Sequence, residues 1–359
     1  MRVAVTLEQC WHRVPGGSAR ATLDTVAALQ QRGGLEQVGV SAWHRQPPQG
    51  AWKPTIDVRA LPLPRRALYD AWQRLRHPIV ERATGTVDLV HATAHVASAS
   101  RAPMVATIHD LHFLHEPTHF TARGISVFTR FLAIVRDEAA VVVCPSEATR
   151  ADCVAAGINA DRIRVTPWGT EAQPVGAAEV ARVRSTYDVG RPFVLFAGTV
   201  EPRKNLARLV EAYRRLGDAD AELVLVGPDG WGDGLSDPSI RRLGFVPSTD
   251  LQALYAAAAV VAYPSLREGF GLPVLEAMAQ GAVVVTSAST ATAEVAGSAA
   301  LLIDPLDVDD IAAALERALG DADLAARLRR EALARAATFT WARSAEAMAG
   351  AYASAVGTA

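Results

Sequence analysis

The sequence predicts an α/β protein made of two doubly wound parallel sheets with helices on both faces, and three observations lead there. Short β-branched apolar runs alternate with longer segments of helical period along the whole chain, the pattern of parallel strands joined by crossover helices. Several runs, Val141-Val142-Val143 among them, are apolar at consecutive positions, as strands covered on both faces require. The pattern breaks over residues 171–176, where Pro174-Val175-Gly176 follows Pro167-Trp168-Gly169, and an Arg191-Pro192 step restarts it. The 359 residues then fall into two halves, each within the range of roughly 100–200 residues that ordinary domains occupy.

Taken in order, the first half offers strand candidates at 3–7, 38–42, 89–91, 105–109, 141–144 and 164–166, with a helical pattern at 22–29. The second half offers strands at 193–197, 222–226, 260–263, 283–286 and 300–303, and helical patterns at 205–216, 251–258, 273–279 and 311–319. The expected boundary lies at 171/172, giving domains 1–171 and 172–338. Ligands in such sheets bind outside the carboxyl ends of the strands, so chemistry is sought in the loops that follow them.

Composition narrows the function classes. Half of the residues are hydrophobic and 21% charged, with 36 basic against 38 acidic side chains, which excludes disorder, collagen and coiled coil. A net charge of −2 leaves no electrostatic footprint for general nucleic-acid binding. Any anion site must be local. Cys10, Cys144 and Cys153 match neither a disulfide framework nor a zinc pair, so a reduced, cytoplasmic chain is expected. The opening run 3–7 turns polar too soon for a signal peptide, and the longest apolar stretch, 253–263, is shorter than the roughly 18 residues that cross a bilayer.

The most informative segment runs Tyr263-Pro264-Ser265-Leu266-Arg267-Glu268-Gly269-Phe270-Gly271-Leu272-Pro273-Val274-Leu275-Glu276. A buried strand ends at Tyr263, a Gly-x-Gly turn follows, and Pro273 suits a first helical turn. The amides of Gly269, Phe270, Gly271 and Leu272 can then face a ligand with the helix dipole behind them. Glu276 is expected in the first helical turn, where a carboxylate can grip a sugar diol such as a ribose, and Glu268 reaches the other end of the ligand. The plainer alternative is that Glu276 complements the dipole and Glu268 is a solvated loop charge.

A second segment, Gly198-Thr199-Val200-Glu201-Pro202-Arg203-Lys204-Asn205-Leu206, is again strand, turn and helix start, with Asn205 a suitable N-cap. Arg203 and Lys204 precede that N-terminus, where positive charge opposes the dipole unless an anion such as a diphosphate intervenes. Lysine is an unusual choice in a chain with two lysines and 34 arginines; a solvated basic pair is the alternative. Near the start, Val14-Pro15-Gly16-Gly17 leads into a helix, and paired glycines let backbone approach a phosphate there as in any strand-to-helix turn.

Six of the nine histidines lie between His91 and His119, which raises the question of a metal. Pro117 and the aromatic pattern argue for a loop, and no His-Glu-x-x-His element is present, so no metal site is expected. His109, at a strand's carboxyl end, is the better candidate for hydrogen-bonding a substrate hydroxyl. Asp218-Ala219-Asp220 reads as a polar turn, not a cation motif. The glycine-rich stretch from Gly227 to Gly232 lacks the spacing of a dinucleotide fingerprint.

Together these segments resemble the retaining nucleotide-sugar glycosyltransferases of the GT-B fold, glycosyltransferase family 4, most strongly over 193–305. The resemblance rests on Glu268 and Glu276 with seven residues between them, on Glu201-Pro202-Arg203-Lys204-Asn205, and on Leu301-Leu302-Ile303-Asp304-Pro305, in that family's order. It implies two Rossmann-like domains facing across a cleft and an acceptor-side first domain. Residues 339–359 are then a closing helix that crosses back to that domain. It further implies that Glu276 holds the nucleotide ribose, while Glu268 approaches the donor sugar and its phosphates. The backbone of Gly269, Phe270, Gly271 and Leu272 contacts sugar and diphosphate, Lys204 with Arg203 neutralises the diphosphate, His109 reaches the transferred sugar, and Gly16 and Gly17 close on the phosphates. Thr199 stands where several relatives carry arginine, and Trp168-Gly169-Thr170-Glu171 replaces the usual Asn-Gly-x-Asp. The Glu-Pro-Arg-Lys-Asn wording is similar to mannosyltransferase-like members that build polysaccharides, which points to GDP-mannose.

The expected partners are a nucleotide-sugar donor and a saccharide or lipid-linked acceptor, with no cofactor and no nucleic acid, in a monomer or weak dimer. Leu68, Trp72, Leu75 and Ile79 fall at helical spacing beside Arg65, Arg66, Arg74 and Arg76. Such an element either lies on an anionic membrane at the inner face of the cell or turns an apolar stripe to the core. Two other functions fit the same segments, a nucleotide-sugar epimerase of the same architecture and a carbohydrate-binding protein without transfer.

Overall fold

The computed structural model of the chain describes residues 1–12, 16–171, 173–217, 221–228, 237 and 240–357. Val14, Pro15, Asp218-Ala219-Asp220 and the glycine-rich stretch from Asp229 to Gly232 lie outside them. The chain divides into two units, one of Met1–Gly169 with Thr340–Ala359 and one of Thr170–Phe339.

The first unit contains β1 (Arg2–Thr6), α1 (Gly17–Arg32), β2 (Glu36–Ser41), β3 (Val58–Ala60), α2 (Arg65–Leu75), α3 (Glu81–Thr84) and β4 (Leu89–Ala92). It continues through β5 (Met104–Thr107), α4 (His112–His115), α5 (Ala122–Glu138), β6 (Ala139–Cys144), α6 (Glu147–Ala155) and β7 (Ile163–Val165). The second unit has α7 (Ala177–Thr186), β8 (Phe193–Ala197), α8 (Leu206–Arg215), β9 (Glu222–Val226), β10 (Ile240–Gly244), α9 (Ser248–Ala257) and β11 (Val260–Tyr263). After these come α10 (Leu272–Ala279), β12 (Val284–Ser287), α11 (Ala291–Ala296), β13 (Leu301–Ile303), α12 (Val308–Gly320) and α13 (Ala322–Ala336). A last helix, α14 (Trp341–Gly357), belongs to the first unit.

Strand order is β3-β2-β1-β4-β5-β6-β7 in one sheet and β10-β9-β8-β11-β12-β13 in the other, and the strand pairs are parallel. Each sheet thus grows outward in both directions from its first strand, as a doubly wound sheet does. Central strands are buried on both faces: Phe193, Val194, Leu195 and Phe196 of β8 are all 0% exposed. The two strands that the apolar pattern does not announce, β3 and β10, are edge strands. Their sequences, Val58-Arg59-Ala60 and Ile240-Arg241-Arg242-Leu243-Gly244, have exposed positions because one side of each lacks a neighbouring strand.

The arginine-rich segment forms α2 and turns Leu68 and Trp72 into the core, where Trp72 Nε1 donates to the Pro78 carbonyl at 2.7 Å. Helix α2 ends at Leu75, which is 74% exposed, and Ile79 lies beyond the helix, packed against the core. Most of the stripe that would face a membrane is therefore occupied. No helix of the described residues is long and apolar enough to cross one.

Helix α14 carries alanine or glycine at many positions and packs on α1 and on β4, β5 and β6. Tyr352, fully buried, bonds His91 Nδ1 at 2.8 Å, and Arg32 pairs with Glu346 at 2.6 Å. The start of α14 passes so close to Gly169 that a Cβ there would overlap the backbone of Thr340 and Trp341. Gly169→Ala is expected to lower stability by about 1–3 kcal/mol, the usual cost of overpacking. Gly190→Ala, where a Cβ meets nothing within 4 Å, should stay within about 0.5 kcal/mol of the parent. Urea denaturation of the two variants beside the parent checks the contrast.

Candidate active site

In the second sheet the strand order reverses between β8 and β11, so the loops leaving their carboxyl ends open the crevice where doubly wound folds bind ligands. The first loop carries Pro202–Lys204 as a single 3-10 turn, and the second carries Glu268. Lys204 and Glu268 meet there with side chains only 7% and 8% exposed, Nζ donating to Oε1 at 2.7 Å. Arg203 donates from Nη1 to Glu268 Oε2 at 3.0 Å and from Nε to Glu201 Oε2 at 2.8 Å. Lys204 Nζ also donates to the Tyr263 hydroxyl and sits 4.7 Å from that ring's centroid.

Two cations and two carboxylates thus form one compact cluster. Burial and the neighbouring Arg203 charge lower the Lys204 ammonium, against the pull of Glu268. Burial alone would raise the Glu268 carboxyl, but Arg203 and Lys204 bring it down to about 2. Glu268 is accordingly neither a solvated loop charge nor a carboxylate waiting alone for a ligand. It holds the cationic turn in place. Nor is the basic pair solvated: removing one partner would leave a buried charge unmatched, which costs several kcal/mol.

Asn205 holds the N-cap position the sequence suggested, in a left-handed conformation with φ 59°, but its side chain does not make the capping bond. Instead Nδ2 donates to the carbonyls of Pro264 at 3.0 Å and Pro305 at 2.6 Å, joining the loops after β8, β11 and β13. Leu266 N–H adds a bond to the Arg203 carbonyl at 2.8 Å. Backbone and amide bonds therefore fix the two charged loops to each other.

The glycine turn leads into α10 with Gly271 as its N-cap at φ 104°, and a Cβ there would lie 2.7 Å from Thr292 Cγ2. Only glycine fits that position without strain. Phe270 is 3% exposed and meets Phe339 edge to face, so its backbone, not its ring, is what the turn can present. Because the helix starts at Leu272, Glu276 is its fifth residue and stands in the second turn, not the first as the spacing suggested. Burial, with the Glu276 charge adding to it, holds the Tyr255 hydroxyl well above its ordinary value.

In the first unit, His109 follows β5 and is 6% exposed. Nε2 donates to the Thr93 carbonyl at 2.8 Å, which leaves Nδ1 as a buried acceptor with no hydrogen-bond partner. Burial, with the His95 ring adding to it, lowers the imidazole to about 4, so it is neutral at physiological pH. Trp168 lies against the ring at 5.6 Å. Both residues line a cavity of about 20 Å³ with Thr22, His91, Thr107 and Thr166. Gly16 is the N-cap of α1 and Gly17 its first residue; both are exposed, and a Cβ on Gly16 would meet nothing within 4 Å.

His112 and His115 form the short helix α4, not the expected loop. Its histidines have local partners, His112 with His119 at 3.1 Å and His115 with Asp152 at 3.0 Å. Among the described residues no group of three His, Cys, Asp or Glu is placed to hold a metal ion. The three cysteines are buried and none forms a disulfide. Sequence reasoning missed Tyr263 and Glu201 as partners of the cationic pair and Asn205 as the tie between loops. A tyrosine closing an otherwise aliphatic strand was the available signal for the first.

Two family models match: Glycosyltransferase Family 4 over residues 15–173 and Glycosyl transferases group 1 over residues 178–335. O-antigen chain mannosyltransferase B of Escherichia coli is 35% identical over 253 residues, 66% of this chain and 66% of that protein. The serotype-specific mannosyltransferase WbdA of the same organism is 34% identical over 185 residues, 47% of this chain but 22% of its own length. The chain thus spans about a fifth of WbdA. Among solved structures, Anabaena Alr3699/HepE in complex with UDP-glucose has a TM-score of 0.77 at 20% identity, with 98% of each chain covered. WaaG, a glycosyltransferase involved in lipopolysaccharide biosynthesis, has a TM-score of 0.72 at 18% identity, covering 97% of this chain and 98% of its own. These structures share the two-sheet fold. The matched families and these relatives are glycosyltransferases, which leaves the epimerase alternative without support.

The two perturbed groups give separate expectations. Glu268 titrates near 2 in the folded protein against an ordinary 4.5, so it contributes stability above that ordinary value and loses it as pH falls toward 2. Glu268→Gln should flatten this part of the acid-unfolding curve, measured by circular dichroism against pH. His109 should keep its imidazole neutral down to about pH 4, a midpoint that nitrogen-detected NMR of the ring reads directly.

Proposed function

The chain belongs to glycosyltransferase family 4, and from that premise we propose that it moves a hexose from a nucleotide sugar to a saccharide or lipid-linked acceptor with retention of anomeric configuration. The observation that carries this reading is the Arg203–Lys204–Glu268 cluster beside the N-terminus of α10, at the carboxyl ends of the two strands where the sheet order reverses. As the bond between sugar carbon and diphosphate oxygen breaks, negative charge grows on the leaving group. Cations and amides already aimed at it lower the barrier. Lys204 and Arg203 supply the cations, and the backbone of Gly269, Phe270, Gly271 and Leu272 supplies dipoles with α10 behind them.

Glu276 takes the ribose hydroxyls, and Gly16 and Gly17 bring the start of α1 to the phosphates. His109 offers Nδ1 to a hydroxyl of the transferred sugar, a role open to it because Nε2 already donates to Thr93. The acceptor oxygen attacks from the side the diphosphate leaves. A new bond forms at the sugar carbon while the old one breaks, and the acceptor proton passes to a phosphate oxygen. The scheme runs without a metal and without a side-chain base.

GDP-mannose is the proposed donor, with mannose the sugar transferred. That choice is supported by the Glu-Pro-Arg-Lys-Asn wording and by similarity to an O-antigen chain mannosyltransferase and a serotype-specific mannosyltransferase.

Lys204→Ala and Glu276→Ala should each reduce transfer at least ~100-fold, the scale of losing a principal charge-stabilising contact, while both proteins remain folded by circular dichroism. Near-parental turnover in both would remove the assignment. A thermal-shift panel of UDP, GDP, ADP and their sugar conjugates identifies the donor, since the ligand that binds the native state raises its stability.

A further inference from the structure

The first unit carries a second built concavity, away from the His109 cavity. It is an open groove of about 290 Å³ lined by Trp11, Trp43, His44, Arg45, Pro64 and Arg65. Its walls come from the segments that follow β1, β2 and β3, three neighbouring strands of the sheet. It therefore lies on the carboxyl-end face, where this class of sheet binds ligands, and its size is near the lower end of the roughly 300–1,000 Å³ typical of small-molecule sites.

Three features mark the groove as built. Trp11 and His44 stack with centroids 4.8 Å apart and planes within 9°. The stack is fixed from beneath: Trp11 Nε1 donates to the Gln46 carbonyl at 2.9 Å, and His44 Nε2 donates to Glu8 Oε1 at 2.9 Å. Glu8 is itself 2% exposed and also accepts the Ala42 amide at 2.8 Å. A buried carboxylate is costly unless bonded, and here its bonds hold the aromatic platform and the loop bearing Trp43. Trp43 remains 52% exposed beside that platform, with Arg45 and Arg65 on the lining.

We propose that this groove binds a saccharide, with a sugar ring packed on the indoles and its oxygens held by the two guanidinium groups. Indole faces match the apolar C–H faces of a sugar ring, while guanidinium N–H groups donate to hydroxyl or ring oxygens. A rigid platform lowers the ordering cost of binding a floppy oligosaccharide. A nucleic acid would also stack on indoles, but it needs a basic track, and the chain as a whole carries a net charge of −2. The groove is thus an acceptor-side subsite. Its role in transfer rests on the glycosyltransferase reading above; its saccharide chemistry does not.

Calorimetric titration of the protein, Trp43→Ala and Arg45→Gln tests it, using α-linked tetrasaccharides of mannose, glucose, galactose and N-acetylglucosamine, and an eight-nucleotide oligothymidylate. Binding of at least one tetrasaccharide, weakened about tenfold or more by Trp43→Ala and less by Arg45→Gln, is expected. In a transfer assay the acceptor KM should rise by a similar factor in Trp43→Ala while nucleotide binding by thermal shift stays put. No saccharide binding, binding indifferent to Trp43, or tighter binding of the oligonucleotide overturns the proposal. Transfer with an acceptor KM that Trp43→Ala does not move also overturns it and leaves the transferase reading intact. Trp43-dependent saccharide binding without transfer from any nucleotide sugar supports the groove and defeats that reading.

Discussion

The pairing of Lys204 with Glu268, each almost sealed from water, is the constraint on which the second unit's site depends. An isolated charge at that burial would cost several kcal/mol, so the loops after β8 and β11 must stay in register. The fold meets this with neutral bonds around the charged ones: Asn205 spans to Pro264 and Pro305, and Leu266 closes on Arg203. Ser287 Oγ donates to the Ser265 carbonyl at 2.6 Å and Thr286 Oγ1 to the Tyr263 carbonyl at 2.9 Å, which braces the second loop from β12. The charges therefore rest on a framework whose geometry does not depend on them alone.

What the sequence revealed follows from what burial does to residue choice. A strand covered on both faces must be apolar at every position, so β6, β8 and β11 stand out as uninterrupted runs. Edge strands β3 and β10 lack that requirement and read as loop. The charged residues of the site were visible by type and spacing, but their pairing was not. Arg203, Lys204 and Glu268 look like separate surface charges until β8 and β11, whose paired residues Val194 and Val260 stand 66 positions apart, lie side by side. Asn205 shows the same limit. Asparagine before a helix suggests a cap, and only the presence of two proline carbonyls from distant loops makes it a tie. Glu276 missed the first turn by the small shift that Gly271 imposes in setting the helix start.

The two sheets wind outward alike from their first strands, and the surroundings of His109 and of Lys204 handle buried polarity differently. Near His109 the groups are neutral. Gln9 Nε2 donates to Thr22 at 3.0 Å and Thr93 at 2.8 Å, and His91 bridges Tyr352 and Thr107. Burial takes His91 down to about 3 and His109 to about 4, so neither ring is charged at neutral pH. The second unit keeps its ions and pairs them. For the transfer reaction proposed above, a neutral ring that accepts a hydrogen bond from a sugar hydroxyl suits the first setting, and cations that face a diphosphate suit the second.

The pairing also bears on how such a site would respond to an anion. Arg203 and Lys204 are matched by Glu201 and Glu268 before anything binds, so this cluster carries no unbalanced positive charge. For the transfer reaction proposed above, what matters is charge that develops late, and fixed donors serve it best because they need not reorganise as it grows. Glu268 acts in that scheme as a positioning residue: its two oxygens set where the guanidinium and the ammonium stand. Neutralising it would leave both cations in the unit but remove what aims them, so its loss belongs to geometry as much as to charge.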